Sequence, residues 1–254
     1  TEEVNEYESQ INYVGAVPII ATSGNMSSVA KVTFKDHSFP IVEIIPLDKR
    51  TPKDSQLEKL ESEERMSVKA LLSENLGELQ VDLNAIDGLS RESLAGNLVT
   101  DALRDTYHTD FAIIDGSGIR NNISKGIFTL EKARSLLPFG NKIIVVMIQG
   151  KDLKEYIKSQ LLGEKSKLIQ VSGFSYRWDK SNNEVIFPTI QDTGFYTLAL
   201  NDYNFQKLSS YESVLIDAND PKSLADYQVL KDYLEKQKVI NPTLSKRIII
   251  VENN

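Results

Sequence analysis

The sequence predicts an α+β fold in which a mixed β-sheet is flanked by helices. Three observations carry that expectation. From residue 78 onward, segments with helical apolar spacing alternate with short apolar runs of strand length. The run 142–148 is almost wholly apolar after its first lysine, as a strand buried on both faces would be. Asn182-Asn183 separates two strand patterns and reads as a hairpin turn.

Residues 1–47 hold three short strand-like runs, 17–21, 29–34 and 41–47. Ser23-Gly24-Asn25 and Lys35-Asp36-His37-Ser38 divide them as turn signals. So few strands cannot bury a sheet face, so they should lean on something else. Residues 48–77 form a charged stretch after Pro52 in which Leu57, Leu60, Glu64, Val68, Leu71 and Leu72 approximate helical spacing. A solvated connecting helix with one apolar stripe fits it. In the remainder, helices are expected at 93–106, 129–137, 150–162 and 226–238. Strands are expected at 111–114, 143–149, 170–178, 184–190, 195–201, 214–216 and 247–251.

Bulk properties narrow the function classes. The 254 residues suffice for one or two domains with proper cores. Apolar residues make up 41% and charged residues 26%, ordinary for a globular chain. A net charge of −7 argues against a nucleic-acid partner, though one locally basic pocket could still hold a phosphorylated small molecule. With no cysteine, disulfides, thiolate metal sites and a cysteine nucleophile are excluded, a composition that fits a periplasmic, extracellular or cell-surface protein. No apolar run approaches the ~20 residues of a membrane span. The opening Thr1-Glu2-Glu3 lacks the pattern of a signal peptide.

The chemistry concentrates between Ser93 and Asn141. There a helix, the apolar strand Phe111-Ala112-Ile113-Ile114, and the loop Asp115-Gly116-Ser117-Gly118-Ile119-Arg120 lead to the turn Pro138-Phe139-Gly140-Asn141. Gly116 and Gly118 permit backbone angles that other residues avoid, so amides could point into a ligand space. Arg120 would present a planar donor fork suited to phosphate or carboxylate, or would simply pair with Asp115. Phe139 stands beside a proline, either as a stacking surface or as core. The histidines, His37 and His108, lie far apart and lack metal-ligand spacing. Gly-Ser-Gly at 116–118 has no Walker lysine after it, and no G-x-S-x-G elbow occurs.

This ordered set resembles the C-terminal, substrate-binding domain of the secreted 5'-nucleotidases and UDP-sugar hydrolases. The family pattern there is a Gly-Asn-Leu helix, then Asn-Gly-Gly-Gly-Ile-Arg, then Pro-Phe-Gly-Asn. Leu168-Ile169-Gln170-Val171-Ser172-Gly173 is similar to the family's Leu-Gln-Val-Ser-Gly strand. The likeness covers about residues 55–254. It implies that residues 1–47 are the last strands of an upstream metallophosphatase domain, 48–77 a linker helix and 78–254 the substrate-binding domain. It also implies a chain that is part of a longer protein. No cofactor is expected in this chain; two divalent metal ions and their ligands are expected in that upstream domain. The resemblance gives Arg120 a substrate contact and puts Phe139 on one face of a nucleobase. Tyr203, with Phe205 as the alternative, takes the other face. Asp115, Gly116, Gly118 and Asn141 complete the expected substrate-binding set.

The chain also departs from the pattern. Asp115 stands where the family has asparagine. Gln206-Lys207-Leu208-Ser209-Ser210 replaces an Asn-Gly-Gly-Asp-Gly run, so the ribose-gripping aspartate falls on Ser209. A further family arginine falls near Leu89, with Arg91 two residues on. The resemblance therefore implies a domain that binds the nucleoside part of a nucleotide for hydrolysis elsewhere. The departures leave open a non-catalytic binding or surface-interaction module, or an enzyme for cyclic nucleotides or other esters. The chain alone is expected to show no phosphomonoesterase or pyrophosphatase activity; measurable turnover by the purified chain would contradict this.

Overall fold

The computed structural model describes residues 11–14, 17–20, 28–35, 39–46, 51–164, 166–216 and 223–252. The chain divides into two compact units, residues 1–67 and 68–254. The expected turn at Ser23-Gly24-Asn25 and the segment Asp36-His37-Ser38 lie outside the described residues.

The first unit contains two antiparallel hairpins. One pairs β1 (Ile11–Val14) with β2 (Val17–Ile20), and the other pairs β3 (Ser28–Thr33) with β4 (Ile41–Pro46). Val29, Ile41 and Ile45 on the second hairpin stay exposed, since two strands alone cannot enclose a face. Helix α1 (Ser55–Leu72) crosses the boundary between the units and has no buried residue. Asp54 starts it by accepting the N–H groups of Gln56 and Leu57 at 2.8 and 3.1 Å. Leu57, Leu60, Val68 and Leu71 of its apolar stripe are all exposed.

In the second unit a five-stranded mixed sheet has the order β13 (Leu215–Ile216), β8 (Ile143–Gln149), β12 (Phe195–Asn201), β6 (Phe111–Asp115), β9 (Ile169–Ser172). β12 and β6 run parallel, and the other pairs are antiparallel. Alternation along the strands explains their unbroken apolar sequences. Phe111, Ile113, Leu198 and Leu200 enter one core with Leu153, Tyr156 and Ile157 of α4 (Gly150–Leu162). Ala112 and Ala199 turn the other way, toward Leu103 of α2 (Leu94–Tyr107) and Val229 of α6 (Asp226–Gln237). Both faces of β6 are thus covered, which a period of two requires of such a run.

Among the described residues the unit also holds two three-stranded sheets. One orders β11 (Glu184–Ile186), β10 (Tyr176–Asp179) and β15 (Ile248–Val251); the other orders β14 (Val239–Ile240), β5 (Asn75–Leu79) and β7 (Gly126–Thr129). The expected single strand at 170–178 is two strands in different sheets. Gly173 breaks it at φ 89°, where an added Cβ would sit 2.1 Å from the Asp110 carbonyl oxygen. The expected hairpin at Asn182-Asn183 joins β10 to β11, with Asn183 at φ 52°. Short α3 (Leu130–Leu136) is capped by Thr129, whose hydroxyl accepts from Lys132 N. Among the described residues, strand β1, the strands of one small sheet and one helix have no counterpart in the sequence expectations. The β14–β5–β7 sheet is built from strands of two to five residues, and α5 (Asp202–Leu208) occupies a stretch without an expected element.

Asp226, at the first turn of α6, is buried, and burial pushes its carboxyl from 3.8 up to about 6 even though Tyr227 N–H donates to it at 2.8 Å. A carboxyl whose pKa is higher in the folded state favours folding most when protonated. Its contribution is whole below the unfolded value and is lost as pH rises through about 6. The wild type should therefore lose about 2 kcal/mol more than Asp226→Asn between pH 4 and pH 7, from the ~1.4 kcal/mol per pKa unit. Urea denaturation at the two pH values tests this, and equal losses in both proteins would refute it.

Candidate functional site

The site is built at the C-terminal end of β6, where the apolar strand runs out and Asp115 begins a single 3-10 turn. The Asp115 carboxylate is buried. Its Oδ1 accepts from Ser117 N at 2.9 Å and from the Ser117 hydroxyl at 2.7 Å. Lys167 Nζ lies 3.2 Å from Oδ2, an ionic contact not aligned as a hydrogen bond. Asp115 is therefore paired with Lys167, not with Arg120. Arg120 reaches the Ser117 carbonyl at 3.4 Å, and its guanidinium carbon stands 5.9 Å from the centroid of the Phe139 ring.

The loop glycines act differently from the expectation. Neither Gly116 nor Gly118 has positive φ. Gly116 is required by a close approach, because a Cβ there would sit 1.9 Å from the Gly88 carbonyl oxygen. Its amide donates to Leu168 O at 2.9 Å, and the Ser117 amide is spent on Asp115. Those two amides are closed to a ligand, so the loop is a buttress rather than a phosphate cradle.

Gly140, at φ 61°, turns the chain after Phe139. Phe139 is 59% exposed, so the ring is not core. Tyr203 lies in the first turn of α5, which Asn201 caps by accepting from Asn204 N at 2.9 Å. Buried Asn204 locks that helix to β6: its Oδ1 accepts from Asp115 N at 3.3 Å, and its amide donates to Tyr156 Oη at 3.0 Å. Tyr203 is 40% exposed. Lys167 donates to its hydroxyl at 2.7 Å, and Lys207 stands 3.4 Å away. The Lys167 ammonium, with burial opposing and Lys207 assisting, holds the Tyr203 phenol below its ordinary value.

Asp115, Gly118, Arg120, Phe139, Asn141 and Tyr203 line one cavity of about 250 Å3. Ser117 and Asn201 join them, neither of which the sequence reasoning singles out. Of the expected set only Gly116 stands behind the wall. Phe205 packs against the core instead and does not line the cavity. Arg91 is not brought in either; it pairs with Asp87 at 2.5 Å. Ser209 donates its hydroxyl to the Gln206 carbonyl. Among the described residues, no three His, Asp or Glu side chains converge so as to hold a metal ion.

The family described as 5'-nucleotidase, C-terminal domain matches residues 75–215, more than half of the chain. The chain belongs to that family. Its relatives are otherwise diverse. Endonuclease YhcR of Bacillus subtilis is 34% identical over 52% of this chain and 11% of its own length. A cell wall protein of Listeria monocytogenes, Lmo0130, is 28% identical over 63% of this chain and 23% of its own. The crystal structure of a 5'-nucleotidase precursor from Thermus thermophilus shares the fold at a TM-score of 0.71, with 24% identity, covering 91% of this chain and 51% of that one. The chain thus spans about half of that solved protein and a minor part of the two curated relatives.

Within this family fold, the Gly116 contact makes a direct prediction. Gly116→Ala should lose about 1–3 kcal/mol, the range for forcing a methyl group into a packed site. Gly118→Ala, whose Cβ would meet only the Ile114 side chain at 3.7 Å, should change stability by under about 0.5 kcal/mol. Urea denaturation of both variants checks the contrast.

Proposed function

We propose that this domain binds the nucleoside end of a phosphorylated substrate for a 5'-nucleotidase-like phosphoesterase whose catalytic metals are held by an upstream domain. One observation carries the reading: Phe139 and Tyr203 both line a single cavity with much of each ring exposed, beside Arg120 and Asn141. An exposed aromatic at a turn leaves apolar area unburied that a stacked base would cover. Among the described residues the Asn141 carboxamide has no hydrogen-bond partner, so both its donors and its acceptor are available to a base edge. Arg120 has no carboxylate partner among those residues and keeps its charge for an anionic group. The residues of this chain bind and orient; the chemical step belongs elsewhere in the longer protein. A periplasmic, extracellular or cell-surface location accords with the cell wall relative.

A second reading has its own support. Two loop amides are spent internally, Arg91 faces Asp87, and Ser209 offers no carboxylate. A non-catalytic binding or interaction module could tolerate all of these. Calorimetric titration with adenosine, AMP, UDP-glucose and a cyclic nucleotide separates the readings. Nucleotide binding by the wild type should weaken about 5- to 150-fold in Phe139→Ala, the equivalent of the ~1–3 kcal/mol stacking contribution. Absence of binding to all ligands by this chain and by the full-length protein would favour the interaction module.

A further inference from the structure

The wall formed by Tyr203 carries a cation pair that the nucleoside reading leaves unused. Lys167 Nζ is 2.7 Å from the Tyr203 hydroxyl and Lys207 Nζ is 3.4 Å from it. Lys207 also stands 4.5 Å and Lys167 5.0 Å from the ring centroid, so both ammonium groups gather at the hydroxyl side of the ring. Lys167 is shared with the buried Asp115. Lys207 is held by the Gln160 carboxamide oxygen at 3.2 Å and makes no ion pair with a carboxylate among the described residues. Counting Arg120 and Asp115, this part of a chain with net charge −7 holds three cations against one anion.

The cations are divided between two walls. Arg120 stands at the Phe139 ring, and the lysines stand at Tyr203. The cavity, at about 250 Å3, is smaller than the roughly 300–1,000 Å3 that encloses a drug-sized ligand. It has room for about a base, so the sugar and its substituents extend beyond it; Arg120 lines the cavity, whereas Lys167 and Lys207 lie outside its lining, at the hydroxyl of the wall residue Tyr203. A single phosphate can serve one wall, and so can a diphosphate chain attached at one point of the sugar. Two phosphates on different positions of the sugar can serve both.

Resting on the nucleoside-binding reading, we propose that Lys207 and Lys167, with the Tyr203 hydroxyl, form a second anion subsite, and that the cleft selects nucleosides phosphorylated at two separate sugar positions, such as a 3',5'-bisphosphate. The Tyr203 hydroxyl donates to the incoming phosphate oxygen while the lysines supply charge-assisted bonds. Lys207 is the specificity-determining residue, because Lys167 is already committed in part to Asp115.

The test compares adenosine 5'-phosphate, adenosine 5'-diphosphate and adenosine 3',5'-bisphosphate by calorimetry on the wild type and on Lys207→Gln. Gln keeps a polar side chain beside Gln160 and leaves the Asp115 pair intact. The wild type should bind the 3',5'-bisphosphate about tenfold or more tightly than the 5'-monophosphate, as expected of charged hydrogen bonds. Lys207→Gln should remove most of that gain while leaving the monophosphate unchanged. Equal affinity for mono- and bisphosphate in the wild type would overturn the second subsite and leave the nucleoside reading standing. An equal gain with the 5'-diphosphate would put the extra charge on the 5' chain and overturn the two-position assignment. Failure of all three nucleotides to bind both this chain and the full-length protein would overturn both readings.

Discussion

Asp115 is buried at the end of β6, and a carboxylate taken out of water there must be paired and hydrogen-bonded to be tolerated. The surrounding structure is arranged around that demand. Ser117 turns back to supply its amide and hydroxyl, which creates the 3-10 turn. Lys167 brings the segment before β9 alongside the same carboxylate. The backbone amide of Asp115 reaches Asn204, which seats α5 and so aims Tyr203. One buried acid thereby ties together two strands, a turn and a helix, and the aromatic cleft is a consequence of how they meet. Losing one partner would leave an uncompensated charge, so the network is held as a unit.

The second support is steric. Gly116 lies against the Gly88 backbone, which presses the loop onto the 3-10 turn at Ile86–Leu89. Buried Gln170 reinforces the same junction by donating to Gly88 O and Arg91 O and accepting from Ser93 N. With loop and cap locked from behind, the front of the loop is rigid without a ligand. That matters for binding, because an already ordered wall does not add its own ordering cost to association.

Much of this is legible in the sequence, and what is not has a physical reason. Long apolar runs such as Ile143–Gln149 and Phe195–Asn201 declare themselves as strands because both faces are covered. The helix at 93–106 is visible through its apolar spacing, and the structure caps it with Ser93, whose hydroxyl accepts from Gly96 N. The β14–β5–β7 sheet escapes sequence reading because its strands are too short to show a period, and long-range pairing makes them. Helix α5 escapes it although Asn201 is an N-cap, because its position in the family pattern suggests a glycine-rich loop. Arg120 and Phe139 stand out by the glycine loop and the proline turn that carry them, and Asn141 and Tyr203 only by the resemblance. Lys167 does not, since a lysine in a polar loop carries no local signal that it will fold onto an acid fifty-two residues earlier, as the pairing with Asp115 shows.

The charge distribution has a consequence for how such a cleft would find an anion. A net charge of −7 repels anions at long range, but that field is screened beyond the ~8–10 Å Debye length of physiological salt. Inside that distance the ligand meets Arg120 and the Tyr203-bound lysines before the molecular average. Attraction is thus a contact property, and steering contributes little to the association rate. Salt weakens the distant repulsion and the near attraction together, so their effects partly cancel. Selection among ligands then rests on whether an anionic group reaches a lysine or arginine at hydrogen-bond distance, which is a matter of where it is attached rather than how many charges it carries.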